Sequence, residues 1–106
     1  NQDPVQRLET LAAMTTSLPH KAEAAIRAWS LSDPEVAKVQ QRVDQDRYNV
    51  IYPAFLSLVG DEELAHRYSR TGMYLLIGFE QAESLQDVET LAWSLEQVKT
   101  AATTHR

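Results

Sequence analysis

Proline has no backbone N–H to donate and holds φ near −65°, so its positions limit which elements can surround it. This chain has four prolines and three glycines among 106 residues, and each proline can be read as punctuation of a helix. Asp3-Pro4 and Ser32-Asp33-Pro34 put a capping side chain before a proline at the first helical position. Ser17-Leu18-Pro19 repeats that start signal, while Asp61 and Asp87 read as N-caps without proline and Gly60 as a C-terminal cap. Val, Ile and Thr nowhere alternate with a period of two, so no strand is expected. The fold class that follows is all-α, with about five helices in an orthogonal, bundle-like arrangement. The spans are Pro4 to about Thr16, the alanine-rich "HKAEAAIRAWSL", Pro34 to about Val59, Asp61 to about Glu83, and Asp87 to about Thr103.

Only Pro53, in "NVIYPAF", falls well inside a helical pattern. It removes the bond to the carbonyl of Asn49, so a kink is expected there. Apolar positions continue on both sides (Val36, Val39, Val43 and Val50, then Ala54 and Leu58), which favours one bent helix over two separate ones. A second stripe of Tyr48, Tyr52, Phe55 and Val59 runs beside the first. Such a helix could wrap one side of a cavity, or present a wide core face.

Length and composition, 43% hydrophobic and 24% charged, describe one globular domain spanning residues 1–106. The chain has no cysteine, which excludes disulfides, zinc thiolates and thiol nucleophiles and makes a cytoplasmic setting the default expectation. No apolar run reaches the length of a membrane span. The formal net charge is −5, with basic residues scattered singly, and that argues against this stretch itself gripping nucleic acid. The absence of an initiator Met leads us to expect a fragment or a processed product.

The last two helices carry more apolar surface than one core needs. At about 100° per residue, Leu64, Tyr68, Thr71, Leu75, Phe79 and Ala82 share a stripe, which we read as the core face. Met73, Leu76 and Ile77, with His66, Ser69 and Glu80 around them, fall on a second one. On the fifth helix Val88, Leu91, Leu95, Val98 and Ala102 form the core face. Trp93 points away from it, flanked by Thr90, Ser94, Gln97 and Ala101. Tryptophan is enriched in interfaces. The dimer-interface candidates are therefore His66, Ser69, Met73, Leu76, Ile77, Glu80, Trp93, Gln97 and Ala101. Two copies pairing through these helices would form a four-helix bundle about a two-fold axis.

The segment "AIRAWSLSDPEVAKVQQRVDQDR", followed later by "YLLIGFE", resembles the C-terminal domain of TetR-family transcriptional regulators. Arg27, Ala28, Trp29, Asp33, Pro34, Val36, Val43, Asp44 and Arg47 match the family's corner pattern. Leu76, Ile77, Gly78 and Glu80 match its penultimate helix. Ser30 replaces a common alanine, Phe79 stands where leucine is frequent, and Pro53 is unusual. The resemblance covers about residues 4–103. It implies an effector-binding domain that forms homodimers through its last two helices. It also implies that DNA is read only by a helix-turn-helix domain expected to precede Asn1. Arg27, Asp33, Pro34, Asp44 and Arg47 would form a structural corner. Within it Asp44 could pair with Arg47 on its own helix, or Arg27 could reach across from the preceding helix to Asp44.

Glu63-Leu64-Ala65-His66 is a single E-x-x-H, whereas carboxylate-bridged di-metal bundles need two copies and two further glutamates. No metal and no cofactor are assigned. His20, near a helix start, and His105, near the C-terminus, are expected to face solvent. No nucleophile elbow, phosphate loop or dinucleotide-binding glycine pattern occurs, so no catalytic residue is singled out. The candidates for a small-effector pocket are Leu11, Met14, Trp29, Tyr48, Tyr52, Phe55 and Tyr74, each of which could equally be ordinary core; a buried tyrosine hydroxyl would need a partner. The alternatives are a constitutive helical interaction module with a filled core and, more remotely, a small helical enzyme.

Overall fold

The computed structural model describes residues 3–105. Five α-helices follow in order: α1 (Pro4–Thr16), α2 (His20–Ser30), α3 (Pro34–Val59), α4 (Glu62–Gln81) and α5 (Val88–Thr103). A short 3-10 turn, Glu83–Leu85, precedes α5. Among the described residues there is no strand, and no helix is long and apolar enough to cross a membrane.

Local chemistry accounts for most helix boundaries. The carboxylates of Asp3, Asp33, Asp61 and Asp87 each accept from a backbone N–H in the first turn of α1, α3, α4 and α5. These contacts satisfy donors that a helix start leaves without partners. Gly60 closes α3 at φ 71°, in the left-handed region that only glycine enters without strain. The start of α2 differs from the sequence expectation. Pro19 itself occupies the N-cap position with no capping side chain, and the Ser17 hydroxyl instead donates back to the Met14 carbonyl at 2.9 Å. α4 ends earlier than expected, at Gln81. α3 runs unbroken through Pro53. Asn49 and Pro53 are both exposed, so the carbonyl that proline deprives of a donor lies on the wet side of the helix.

The 26-residue α3 is the axis of the fold, packed against all four other helices. Its C-terminal half supplies Ala54, Phe55 and Leu58 to the core, which Leu8 of α1, Ala65 of α4 and Ala102 of α5 complete. Tyr68 stacks on Phe55 with ring centroids 5.7 Å apart. Nearer the start of the helix Val39 and Val43 are exposed, as is Val50 just past its midpoint, so the apolar stripe read there is not core.

The face assigned to the interior of α4 is corrected by its packing. Ala65, Ser69, Met73, Leu76 and Glu80 are the buried positions. Leu64, Tyr68, Leu75, Phe79 and Ala82 lie half-buried at one edge of that face, and Thr71 is exposed. Ser69, Met73, Leu76 and Glu80 therefore turn into their own chain and cannot form a surface for a second copy. Ser69 and Glu80 made that stripe look like a surface, yet both are satisfied internally. The Ser69 hydroxyl donates to the Ala65 carbonyl at 2.7 Å, and Glu80 has a partner on α2.

Candidate functional site

α2 buries no residue fully. What attaches it is a row of polar side chains at i, i+3 and i+7: His20, Glu23 and Arg27. Arg27 donates twice to Asp44 of α3, at 2.7 and 3.1 Å, and Arg47 of α3 donates twice to Glu23, at 2.6 and 2.7 Å. Both contacts are two-pronged guanidinium–carboxylate pairs, the geometry that makes arginine pairs strong and directional. The pair across the corner, Arg27 with Asp44, is thus present, whereas the Asp44–Arg47 pair along α3 is not formed. Asp44 also accepts from Gln40 at 3.1 Å. The hydrogen bond from Glu23 raises the pKa of Arg47 above the ordinary arginine value, against burial, which lowers it.

His20 departs furthest from expectation. Its side chain is mostly buried, and Nδ1 lies 2.8 Å from Oε2 of Glu80, a carboxyl that is almost entirely enclosed. The Nε2 atom lies 3.2 Å from the Thr16 carbonyl, so the ring is engaged at both nitrogens. The ring of Phe79 packs edge-on at 4.9 Å. Burial pushes the Glu80 carboxyl above the usual carboxylate range; the hydrogen bond from His20 opposes that shift, and the charge of Glu23 adds to it.

Beside this polar layer lies an apolar cavity of about 320 Å³, walled by α1, α3, α4 and α5. Leu8, Leu11, Ala12 and Thr15 line it from α1, with Met14 at the edge and Leu18 just past the helix end. Val50, Ile51 and Phe55 of α3, Gly72, Met73 and Leu76 of α4, and Leu95 and Val98 of α5 complete the walls. Asp46, Arg47 and Lys99 are the charged residues in the lining. The volume is at the lower end of the range for small-molecule sites, about 300–1,000 Å³.

Of the pocket residues expected from sequence, Leu11, Met14 and Phe55 line this cavity, and Trp29, Tyr48, Tyr52 and Tyr74 do not. Trp29 is 57% exposed and Tyr74 65% exposed, so neither is core. Tyr48 stacks on Tyr52 at 5.4 Å on another side of α3, and its hydroxyl bonds Nδ1 of His66 at 2.8 Å. Arg70 lies over the Tyr48 ring at 5.0 Å. His66 is thus engaged within its own chain. Glu63, the other polar member of the E-x-x-H, pairs with Arg67 at 2.8 Å. Among the described residues no three His, Asp or Glu side chains converge as metal ligands. His105 is exposed, with its ring 5.6 Å from that of Tyr68.

On α5, Trp93 is 63% exposed, and Gln97 and Ala101 are exposed with it. Ile77 is half-buried. The outward face of α4 is Arg67, Thr71, Tyr74 and Gly78, spaced i, i+4, i+7 and i+11.

Sequence reasoning missed Glu23, although a signal for it exists. α2 carries an acid followed by a base (Glu23, Arg27), and so does α3 (Asp44, Arg47). Antiparallel packing of two such helices matches each acid with the other helix's base. No family model, curated protein or solved structure matches the chain.

Proposed function

We propose that this chain is the effector-sensing and dimerisation part of a TetR-like transcriptional regulator, acting as a homodimer, with DNA read by a separate helix-turn-helix segment. The observation that carries the reading is the apolar cavity among α1, α3, α4 and α5. The cleft opens to solvent, with Met14 and Val50 exposed in its lining, and apolar surface left open on a folded chain marks a binding site rather than a filled constitutive core. The corner residues Arg27, Asp33, Pro34, Asp44 and Arg47 support the family resemblance and have structural roles. Effector binding would shift the balance between two arrangements of the dimer, and α2, which buries no residue fully and reaches the cavity through the Glu23 contact to Arg47 in the lining, is the element best able to follow.

The dimer surface in this reading combines Trp93, Gln97 and Ala101 of α5 with Thr71, Tyr74 and Gly78 of α4. It keeps the fifth-helix half of the sequence expectation and replaces most of the fourth-helix half. Sedimentation of the chain at micromolar concentration should give twice the monomer mass, and Trp93→Glu should return it to monomer. An unchanged mass in that variant would remove this surface.

The cavity is tested by melting the chain with 1-decanol below its aggregation concentration. Ligand that binds only the folded state raises the melting temperature by mass action. Ala12→Phe, which fills the cavity from the α1 side, should abolish the rise while the chain remains folded. No rise in the parent chain with decanol, decylamine or decanoate would overturn the sensing function.

A further inference from the structure

The charged groups around the cavity select among apolar ligands. Arg47 is held two-pronged by Glu23. The ammonium of Lys99 sits between Glu96 at 3.0 Å and Glu9 at 3.9 Å, with its side chain 16% exposed. Each cation in the lining is therefore already neutralised, and Lys99 faces two carboxylates. Asp46 is the remaining charged residue of the lining. Among the described residues it makes no ion pair, and Arg42, one turn back on α3, does not reach it. Asp46 and Val50 stand one turn apart on the same edge, beside an apolar wall that runs along α1 from Leu8 to Thr15, about 10 Å at 1.5 Å per residue.

We propose that the cavity takes an apolar molecule bearing one cationic group, an alkyl- or arylamine, with its tail along α1 and its charge at Asp46. The proposal rests on the sensing function above and specifies the ligand's class. A carboxylate ligand would meet Asp46 in the lining, with Arg47 and Lys99 already engaged by carboxylates. A neutral ligand would use the walls and leave Asp46 to water. An ammonium group gains the carboxylate without displacing either existing ion pair. Asp46 is exposed, so the gain is modest: exposed ion pairs are worth up to about fivefold in affinity, and partly desolvated ones about tenfold.

The test is calorimetric titration of the 106-residue chain with decylamine, 1-decanol and decanoate at submicellar concentrations and neutral pH. Decylamine should bind about three- to tenfold more tightly than decanol, and decanoate most weakly. Asp46→Asn should bring decylamine to the affinity of decanol and leave decanol unchanged. Asp46→Lys should reverse the order in favour of decanoate. Equal affinities for decylamine and decanol in the parent chain, tightest binding of decanoate, or an amine preference that survives Asp46→Asn would each overturn the proposal while leaving the cavity's sensing role intact. Binding by none of the three would remove both.

Discussion

Removing the imidazole of His20 should expose how the Glu80 carboxyl is tolerated inside the protein. The Glu80 side chain is 1% exposed and His20 is its side-chain partner. At neutral pH, His20→Ala leaves an enclosed carboxylate unpaired, and breaking a buried pair from one side costs about 3–5 kcal/mol. Once Glu80 is protonated, the residual penalty is that of an unsatisfied neutral group, about 1–3 kcal/mol. The damage from His20→Ala should therefore shrink by about 2 kcal/mol between pH 7 and pH 4. The folded-state pKa of Glu80 is raised by burial, so its native form holds a proton more tightly than the unfolded chain does. That contribution is fully present below the ordinary glutamate pKa and is lost as pH rises through the raised value. The Glu80→Gln side chain cannot ionise, and it keeps a hydrogen-bonding group opposite His20. This variant should gain stability relative to the parent protein as pH rises. In the Glu80→Gln background, His20→Ala should cost only the neutral-group penalty, about 1–3 kcal/mol, at either pH. Urea unfolding of the four proteins at pH 4 and pH 7 supplies the cycle. A His20→Ala cost independent of pH and of the Glu80→Gln substitution, with coupling inside the roughly 0.5 kcal/mol additivity limit, would refute a buried, mutually dependent pair.

Three further outcomes follow from the same geometry. Double-mutant cycles on Arg27/Asp44 and on Arg47/Glu23 should each give a coupling of about 1 kcal/mol, because both pairs are two-pronged yet partly open to water; zero coupling would reduce them to surface decoration. Amide hydrogen exchange in Arg27→Ala should speed up across α2 and leave the core around Leu58 protected, since α2 buries no residue. Gly60→Ala should lower stability by about 1 kcal/mol from backbone strain alone: φ is +71° and a Cβ would meet nothing within 4 Å. An unchanged melting temperature would mean that α3 ends differently in solution.

Asp87 runs opposite to Glu80. Hydrogen bonds from the Thr90 hydroxyl and the backbone N–H groups of Thr90 and Glu89 favour its charged form and lower its pKa. Its support of α5 is present above the ordinary aspartate pKa and lost as pH falls through the lowered one. Acidification should thus loosen the start of α5 while relieving Glu80. Backbone chemical shifts near Val88 followed against pH would report the first effect separately.

The residues that define helix ends were legible in the sequence because each acts over one turn. An aspartate two or three residues before an N–H, or a glycine able to adopt positive φ, works the same way whatever packs nearby. The Arg27–Asp44 contact was also within reach, since acid and base alternate at helical spacing on α2 and α3. The buried face of α4 was not. Its two stripes are similar in apolar content, and helical periodicity gives the spacing of a face but not its direction. Contacts with α3 and α5 turned Ala65, Met73 and Leu76 inward, and a serine bonded to its own helix could follow them. Glu80 could follow because His20, sixty residues earlier, meets it there. Trp29 shows the converse: hydrophobicity alone placed it inside, but the face of α2 that meets the protein is the one bearing His20, Glu23 and Arg27. Local hydrogen bonding thus determined where each helix begins and ends. Tertiary packing decided which side faces inward, because burying a polar side chain requires a partner that only the assembled fold supplies.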